Sequence, residues 1–350
     1  MIKKNKSMLV ARLVAPRLFQ LYDENIPSIS EHEALLRIKS VGICGSDLHR
    51  FRGHTYGDGS NEGIVLGHEF SAVVEHVGAH VSNVKVGDRV AVEAAFHCGA
   101  CEWCLKGYTN LCPHVKFCGL PGVEGALREY RAWPAHLLFK LPDSLDFDDG
   151  ALAEGLGICL HALDLANMRA GFTAAVLGCG PIGLGMIELL RKVAGAGEIF
   201  ATELVPERLA FAKTFGADVV LNDDKENIVE KMLSATGGRG VDVVFEAAGV
   251  EETLHQMVEI AAPGGKVVII GIPESEQIAF AASPARRKGL TFRFVRRSLN
   301  TYSRVLRLMD NGIINVKKMV THHFPLNKVQ RGFDVVDAYQ DGAIKVMITC

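Results

Sequence analysis

The sequence has no excess of charge of either sign, because 38 Lys and Arg residues stand against 40 Asp and Glu residues, with a formal net charge of -2. Proteins built to bind nucleic acid show a basic excess or a basic stripe, so this balance argues against that class. The sequence also lacks an apolar run long enough to cross a membrane. Only a few apolar residues follow the basic start before Arg12, too few for a secretory signal. We therefore expect a soluble, cytoplasmic protein.

Nine cysteines in a chain without an export signal favour metal-binding or catalytic thiols over a disulfide framework. Four of them follow the spacing Cys98-x2-Cys101-x2-Cys104-x7-Cys112. Four thiolates in one short loop can enclose a tetrahedral zinc ion, and a shell of four cysteines leaves no position for a substrate. The spacing predicts a structural zinc lobe over residues 97–113. The alternative is a set of buried cysteines without a ligand.

A glycine-rich turn marks the second half of the chain. An apolar strand over 174–177 precedes Gly178-x-Gly180-x-x-Gly183, and a helical run over 184–193 follows. Such a turn brings a pyrophosphate close to a helix amino terminus. Glu203 lies about twenty residues further on, where a carboxylate accepts from ribose hydroxyls and repels a 2′-phosphate, which favours NAD over NADP. The alternative is a helix-packing turn with a surface glutamate. We predict that the cofactor contacts Gly178, Gly180, Pro181, Ile182, Gly183, Glu203, Arg208 and Gly271.

The order of short strands and helices predicts an α/β fold with two domains. Residues 9–142 contain short apolar runs separated by glycine turns, which favours a β-rich domain. The acidic segment 146–150 then caps a helix that carries Glu154. From 173 to about 286 strands alternate with helices, which predicts a parallel sheet covered on both faces. We expect the tail, which ends in the apolar run 344–349, to rejoin the first domain.

The stretch 42–49 places a thiol, a hydroxyl, a carboxylate and an imidazole within one loop, on Cys44, Ser46, Asp47 and His49. Alone, this stretch is compatible with a nucleophilic cysteine. Such a nucleophile would need a base and an acyl substrate, whereas the nucleotide turn and the predicted zinc lobe favour a metal-bound thiolate. We therefore interpret Cys44 as a metal ligand.

His68 and Glu69 form a second polar group after an apolar run. A single cysteine or histidine is more often part of a core than a ligand. An enzyme with a nicotinamide site must ionise its alcohol, however, and a zinc ion with one open position supplies that Lewis-acid chemistry. We expect Cys44, His68 and a carboxylate to hold this zinc.

These motifs resemble, in order and spacing, those of the zinc-dependent medium-chain dehydrogenase family over nearly the whole chain. The resemblance implies a Rossmann domain with a doubly wound parallel sheet and a β-rich GroES-like catalytic domain formed from both chain ends. We expect the catalytic domain at 1–154 and 293–350 and the NAD-binding domain at 155–292. The resemblance also implies two zinc ions per chain, NAD as cofactor, and a homodimer or homotetramer.

Within the family, the sequence is most similar to the sorbitol (polyol) dehydrogenase branch, through segments 117–127, 140–143, 150–162, 300–302 and 320–326. Glu154 lies where simple alcohol dehydrogenases carry a cysteine ligand, and an oxygen ligand there is typical of the polyol branch. Relatives use either glutamate, so Glu69 and Glu154 both stay candidates for the third ligand. Two positions depart from the branch. At the first, polyol relatives have a proline after the glutamate and a serine two residues beyond it, where this chain has Gly155 and Gly157. At the second, they have an arginine–tyrosine pair that binds the polyol, where this chain has Arg297-Ser298.

The matched positions imply hydride transfer from a secondary hydroxyl of a polyol or sugar alcohol to NAD. Ser46 would take the hydroxyl proton and pass it toward His49 and solvent. Asp47 would orient His68 by its other ring nitrogen. Arg297 would hold a distal hydroxyl or phosphate; the alternative is a solvated arginine.

Other substrates with the same chemistry stay open at this point: a sugar-phosphate alcohol, an aldose, a secondary alcohol or an amino alcohol. The basic segment 286–297 keeps a phosphorylated substrate among them. A zinc-containing relative without catalysis is the alternative from another class. The joint presence of Cys44, Ser46, His49, His68 and Glu154 argues against it.

Overall fold

A computed structural model describes residues 7–55, 59–273, 275 and 277–350. The chain divides into two compact units. The first comprises Met1–Glu154, Tyr302–Asp310 and Val320–Cys350, and the second comprises Gly155–Thr301 and Asn311–Met319. Residues 293–301 and 311–319, which the sequence placed in the catalytic domain, thus lie in the second unit. The first six residues, on which the argument about an export signal partly rests, lie outside the described part.

The first part of the chain forms strands with few helices. Its strands are β1 (Ser7–Ala15), β2 (Leu18–Asn25), β3 (Glu33–Gly42), β4 (Glu69–Val77), β5 (Arg89–Val92), β6 (Ala95–Phe96), β7 (Lys116–Phe117), β8 (Tyr130–Pro134) and β9 (Leu138–Lys140). Its helices are α1 (Gly45–Phe51) and α2 (Glu102–Leu105), and α3 (Phe147–Ala166) contains the boundary between the units. Across the described residues, every helix is too short or too polar to span a bilayer.

The second unit alternates strands with helices. The elements are β10 (Ala174–Leu177), α4 (Pro181–Leu189), β11 (Ile199–Glu203), α5 (Pro206–Phe215), β12 (Val219–Asn222), α6 (Ile228–Ala235), β13 (Val241–Glu246), α7 (Glu251–Ile260), β14 (Ala261–Ile269), α8 (Ala282–Lys288) and β15 (Thr291–Phe294). The strands form one parallel sheet in the order β12-β11-β10-β13-β14-β15. This is the doubly wound order in which ligands bind where the winding reverses, here between β10 and β13. The predicted Rossmann architecture is confirmed.

The chain then returns to the first unit with α9 (Tyr302–Asp310), β16 (Val320–Pro325), α10 (Val329–Asp337) and β17 (Lys345–Thr349). Single turns of 3-10 or π helix cover Thr109–Leu111, Ala135–Leu137, Leu190–Ala194, Lys317–Met319, Leu326–Lys328 and Gln340–Gly342. The main sheet of this unit has the order β16-β17-β3-β4-β5-β9, with β8 also paired to β3. The β-rich half of the predicted fold is therefore confirmed as well.

The register of the main sheet brings the two polar stretches of the first unit together. Gly42, the last residue of β3, is paired with Glu69, the first residue of β4. The loop 42–49 therefore starts beside His68 and Glu69. Helix α1 is anchored at its other end by Phe51, which is fully buried and whose ring lies 5.1 Å from that of Phe333. Burial of such a side chain contributes about 1.5–3 kcal/mol.

Candidate active site

Helix α1 presents three of the predicted catalytic side chains in one short segment. Cys44 is its N-cap, and the Cys44 N–H donates to Asp47 Oδ2 at 3.2 Å, which fixes the first turn. Ser46 and His49 are three positions apart, so they share one face of the helix. Both are half-buried.

Asp47 links this helix to the second polar stretch. Its Oδ1 accepts from the Gly67 N–H at 3.3 Å and lies 3.4 Å from His68 Nδ1. Burial alone would raise the pKa of Asp47, but the charge of His68 and the donors around the carboxylate hold that pKa below its usual value. The contact with Nδ1 leaves Nε2 of His68 available for a metal ion.

Cys44, His68 and Glu69 come together as a group in which one potential ligand atom from each lies within 4.8 Å of the others. Burial alone would lower the pKa of His68, but Asp47 and Cys44 raise it well above its usual value. The pocket thus favours positive charge at this point. A thiolate, an imidazole and a carboxylate form a donor set that zinc accepts, and three protein ligands leave the fourth position free, as a catalytic site requires. The group therefore fits zinc.

Sequence reasoning missed Lys345, which completes this group. Its Nζ donates to Glu69 Oε2 at 2.5 Å and to the Ile43 carbonyl at 3.1 Å, and its side chain is 4% exposed. Lys345 therefore touches both segments that carry the potential ligands. The available signal was a lysine inside the apolar run 344–348, because a charge in a buried strand needs a partner.

Glu154 lies on α3 and is buried, but it is not part of the group of three. It lies instead near Glu93, a residue that sequence reasoning did not consider. Burial and the charge of Glu154 together raise the pKa of Glu93 to about 7. Of the two glutamates left open by the sequence, Glu69 is therefore the one placed with Cys44 and His68.

The four predicted lobe cysteines converge. The Sγ–Sγ distances are 4.0 Å for Cys98–Cys104, 3.5 Å for Cys101–Cys104, 3.8 Å for Cys101–Cys112 and 3.6 Å for Cys98–Cys112. Four sulfurs bound to zinc at about 2.3 Å in a tetrahedron lie ~3.8 Å apart. The N–H groups of Ala100 and Cys101 lower the pKa of Cys98 to about 6, which favours the thiolate. This cage fits a structural zinc ion.

The glycine turn connects β10 to α4 in the second unit. Gly178 has a left-handed φ of 92°, and a Cβ on Gly183 would lie 1.9 Å from the Gly178 carbonyl oxygen. Gly180 is the N-cap of α4, with Pro181 and Ile182 in its first turn, and a Cβ there would meet no other atom within 4 Å. The turn needs Gly183 for packing, whereas Gly180 leaves open space beside the helix amino terminus.

Glu203 ends β11 and faces this turn. Its Oε2 accepts from the Cys179 N–H at 3.0 Å and lies 3.7 Å from Arg208 Nη1, while Oε1 accepts from the Leu204 N–H at 2.8 Å. The acidic group is thus held next to the predicted pyrophosphate position.

Two further predicted residues lie elsewhere in the second unit. Gly271 follows β14, and a Cβ there would lie 2.3 Å from the Gly249 nitrogen, so only glycine fits between the two loops. Arg297 follows β15, is half-buried and has a left-handed φ of 55°.

Comparison with known proteins agrees with this geometry. The family model "Alcohol dehydrogenase GroES-like domain" matches residues 30–143, and "Zinc-binding dehydrogenase" matches residues 181–311. The chain is 35% identical over 324 residues to sorbitol dehydrogenase of Bacillus subtilis, covering 92% of each chain. It is 35% identical over 322 residues to L-threonine 3-dehydrogenase of Bacillus velezensis, covering 91% of this chain and 92% of the relative. A crystal structure of an Escherichia coli oxidoreductase of unknown specificity superposes with a TM-score of 0.93 at 34% identity, covering 98% of this chain and 99% of that one.

Proposed function

The chain belongs to the zinc-dependent medium-chain dehydrogenase family and is an oxidoreductase that acts on a small-molecule alcohol, and we propose that it transfers a hydride from a secondary hydroxyl of a polyol or sugar alcohol to NAD. The observation that carries this proposal is the group of Cys44, His68 and Glu69, with ligand atoms within 4.8 Å of one another. When bound there, zinc supplies a Lewis acid that eases loss of the alcohol proton.

The chain's own residues supply the remaining steps. Asp47 holds the His68 imidazole, and Lys345 offsets the charge of Glu69. Ser46 accepts the hydroxyl proton and hands it to His49, since the two side chains share one face of α1. Hydride then leaves the same carbon for the nicotinamide ring, which produces a ketone and one proton per turnover.

The choice of NAD rests on Glu203. Its carboxylate is fixed beside the glycine turn by backbone N–H groups and carries the charge that disfavours a 2′-phosphate. Arg208, at 3.7 Å, is paired with that carboxylate. We therefore expect faster reduction of NAD than of NADP.

The polyol assignment rests on the likeness to the relative named sorbitol dehydrogenase. A relative named L-threonine 3-dehydrogenase is equally similar, so an amino alcohol is the second candidate. The departures at Gly155, Gly157 and Ser298 affect which alcohol is the substrate, whereas hydride transfer to NAD is the same for each candidate. We also propose a homodimer or homotetramer, which light scattering coupled to size-exclusion chromatography tests.

A substrate panel tests the function. NAD reduction is measured with D-sorbitol, xylitol, 2,3-butanediol, L-threonine, D-glucose and galactitol 1-phosphate. We expect the highest kcat/KM with a free polyol. A preference for L-threonine or for the phosphate ester would move the assignment to that class, and no reduction with any alcohol would overturn the proposal.

Variants separate the two zinc sites. Cys44→Ser and Ser46→Ala should each lower hydride transfer, and retained activity in both would contradict the proposed site. Metal analysis should give two zinc ions per chain. Cys98→Ser should leave one, whereas the matched control Cys159→Ser, a buried cysteine outside both groups, should keep two.

A further inference from the structure

A second histidine lies beside the predicted proton acceptor. The rings of His49 and His54 have centroids 5.8 Å apart and meet edge to face, at 61°. Nδ1 of His49 is shielded from solvent, whereas His54 is exposed. The pair therefore joins a half-buried imidazole on the catalytic helix to one at the surface.

Hydrogen bonds of the main-chain N–H and carbonyl of His54 hold this residue in place. The His54 N–H donates to the His49 carbonyl at 3.0 Å, and the His54 carbonyl accepts from Asn61 Nδ2 at 2.7 Å. Asn61 is itself tied to α1, since Arg50 Nη1 donates to its Oδ1 at 2.7 Å. The position of His54 therefore follows the position of the helix that carries Ser46 and His49.

The neighbouring guanidinium groups have partners away from the two rings. Arg50 donates to Asn61, and Arg52 Nε donates to Asp337 Oδ1 at 2.6 Å. Both guanidinium groups therefore donate to acceptors other than the imidazole rings of His49 and His54.

We propose that His54 receives the substrate proton from His49 and releases it to solvent, so that two imidazoles form the proton exit path. This inference rests on the proposed dehydrogenase function and extends it. Histidine suits the step because it gains and loses a proton near neutral pH. The separation of the rings suits transfer through one bridging water molecule.

The transfer balances without another reactant. His49 accepts the proton that Ser46 took from the hydroxyl and loses one to the bridging water, which passes a proton to His54. His54 then loses a proton to bulk water. The two electrons of the C–H bond leave separately, as the hydride that reduces NAD.

A single-turnover experiment tests the relay in weakly buffered solution. The zinc-loaded enzyme, in excess, reacts with NAD and the fastest alcohol of the panel above, with a pH indicator present. Absorbance of NADH reports hydride transfer, and the indicator reports proton release. In His54→Gln, we expect proton release to slow by roughly 10- to 100-fold relative to the unmodified enzyme. Added imidazole buffer should restore the rate. His80→Gln, a change of an exposed histidine elsewhere in the first unit, should release the proton at the normal rate.

Three outcomes would contradict the relay: normal proton release in His54→Gln, a slow release that imidazole does not restore, or equal slowing in His80→Gln. Failure of the proposed function is visible separately, because no NADH would then form in the unmodified enzyme.

Discussion

Lys345 Nζ lies 2.5 Å from Glu69 Oε2, and the two side chains are 4% and 3% exposed. Burial alone would lower the pKa of Lys345, but the charges of Glu69 and Cys44 raise it. The ammonium group thus stays charged inside the first unit. Either partner alone would leave an uncompensated buried charge.

Lys345→Met should therefore destabilise the protein by about 3–5 kcal/mol, the usual cost of breaking a buried ion pair. The double variant Lys345→Met/Glu69→Gln should recover part of this loss. Lys140→Met, which removes an ion pair between an exposed lysine and the half-buried Asp88, should cost less than about 1 kcal/mol. Urea denaturation of the three variants measures the differences. Equal losses for Lys345→Met and Lys140→Met would show that burial of the pair is not the cause.

Asp47→Asn should weaken zinc binding at Cys44 and His68 by about 10- to 100-fold, because the imidazole loses a charged acceptor at Nδ1. Competition with chelators of graded affinity measures this loss. Asp148→Asn is the matched control, since it removes another carboxylate–histidine contact, 2.7 Å from His323 Nε2. We expect that control to bind zinc normally. An unchanged affinity in Asp47→Asn would remove the orienting role of this aspartate.

Two glycines of the nucleotide turn should behave differently. Gly183→Ala places a Cβ 1.9 Å from a carbonyl oxygen and should cost about 1–3 kcal/mol in stability. Gly180→Ala meets no protein atom, so its thermal midpoint should be normal. It should nevertheless bind NAD about 10-fold more weakly, if the pyrophosphate fills that space, which corresponds to ~1.4 kcal/mol. Calorimetry gives both quantities, and normal NAD binding by Gly180→Ala would argue against this cofactor position.

Glu93 should make the metal-free protein less stable as pH rises through about 7. Burial and the charge of Glu154 raise its pKa to about 7 in the folded state, above the ordinary value of 4.5. Between those pH values the folded state holds a proton that the unfolded state has lost. Protonated Glu93 therefore adds to the free energy of unfolding at low pH, and this stabilisation disappears above the folded pKa. Glu93→Gln should make the free energy of unfolding depend less on pH. Thermal midpoints between pH 5 and 8, with Glu31→Gln as an exposed control, test it; parallel curves for Glu93→Gln and the unmodified protein would contradict it.

The sequence predicted those parts of the fold in which a ligand requires its contact residues at a fixed spacing along the chain. The four cysteines between 98 and 112 and the turn at Gly178–Gly183 are local, so their neighbours in space are also neighbours in sequence. The grouping of Cys44 with His68 and Glu69 required more, namely the antiparallel register that pairs Gly42 with Glu69. The chemistry of a thiol, an imidazole and a carboxylate predicts that grouping, and the register of the sheet provides it.

Sequence reasoning did not identify the partners of Lys345, Glu93 and His49 for one common reason. Each depends on a contact between side chains, and no periodicity or motif encodes it. Lys345 reaches Glu69 only because β17 lies next to β3 in the sheet. The choice between Glu69 and Glu154 has the same origin, since Glu69 begins β4 and Glu154 lies within α3, and only their positions in space decide between them.

The place of β17 between β16 and β3 also affects the order of events during biosynthesis. Chains emerge from the ribosome amino terminus first, and domains fold as units when their residues are available. The six-stranded sheet is complete once residue 294 has emerged, whereas the other sheet waits for Lys345–Thr349. The counter-charge of Glu69 is therefore synthesised after the last strand of the six-stranded sheet. A nascent chain released before Lys345 would carry a folded six-stranded sheet, but Glu69 in the metal pocket would lack the ammonium group of Lys345.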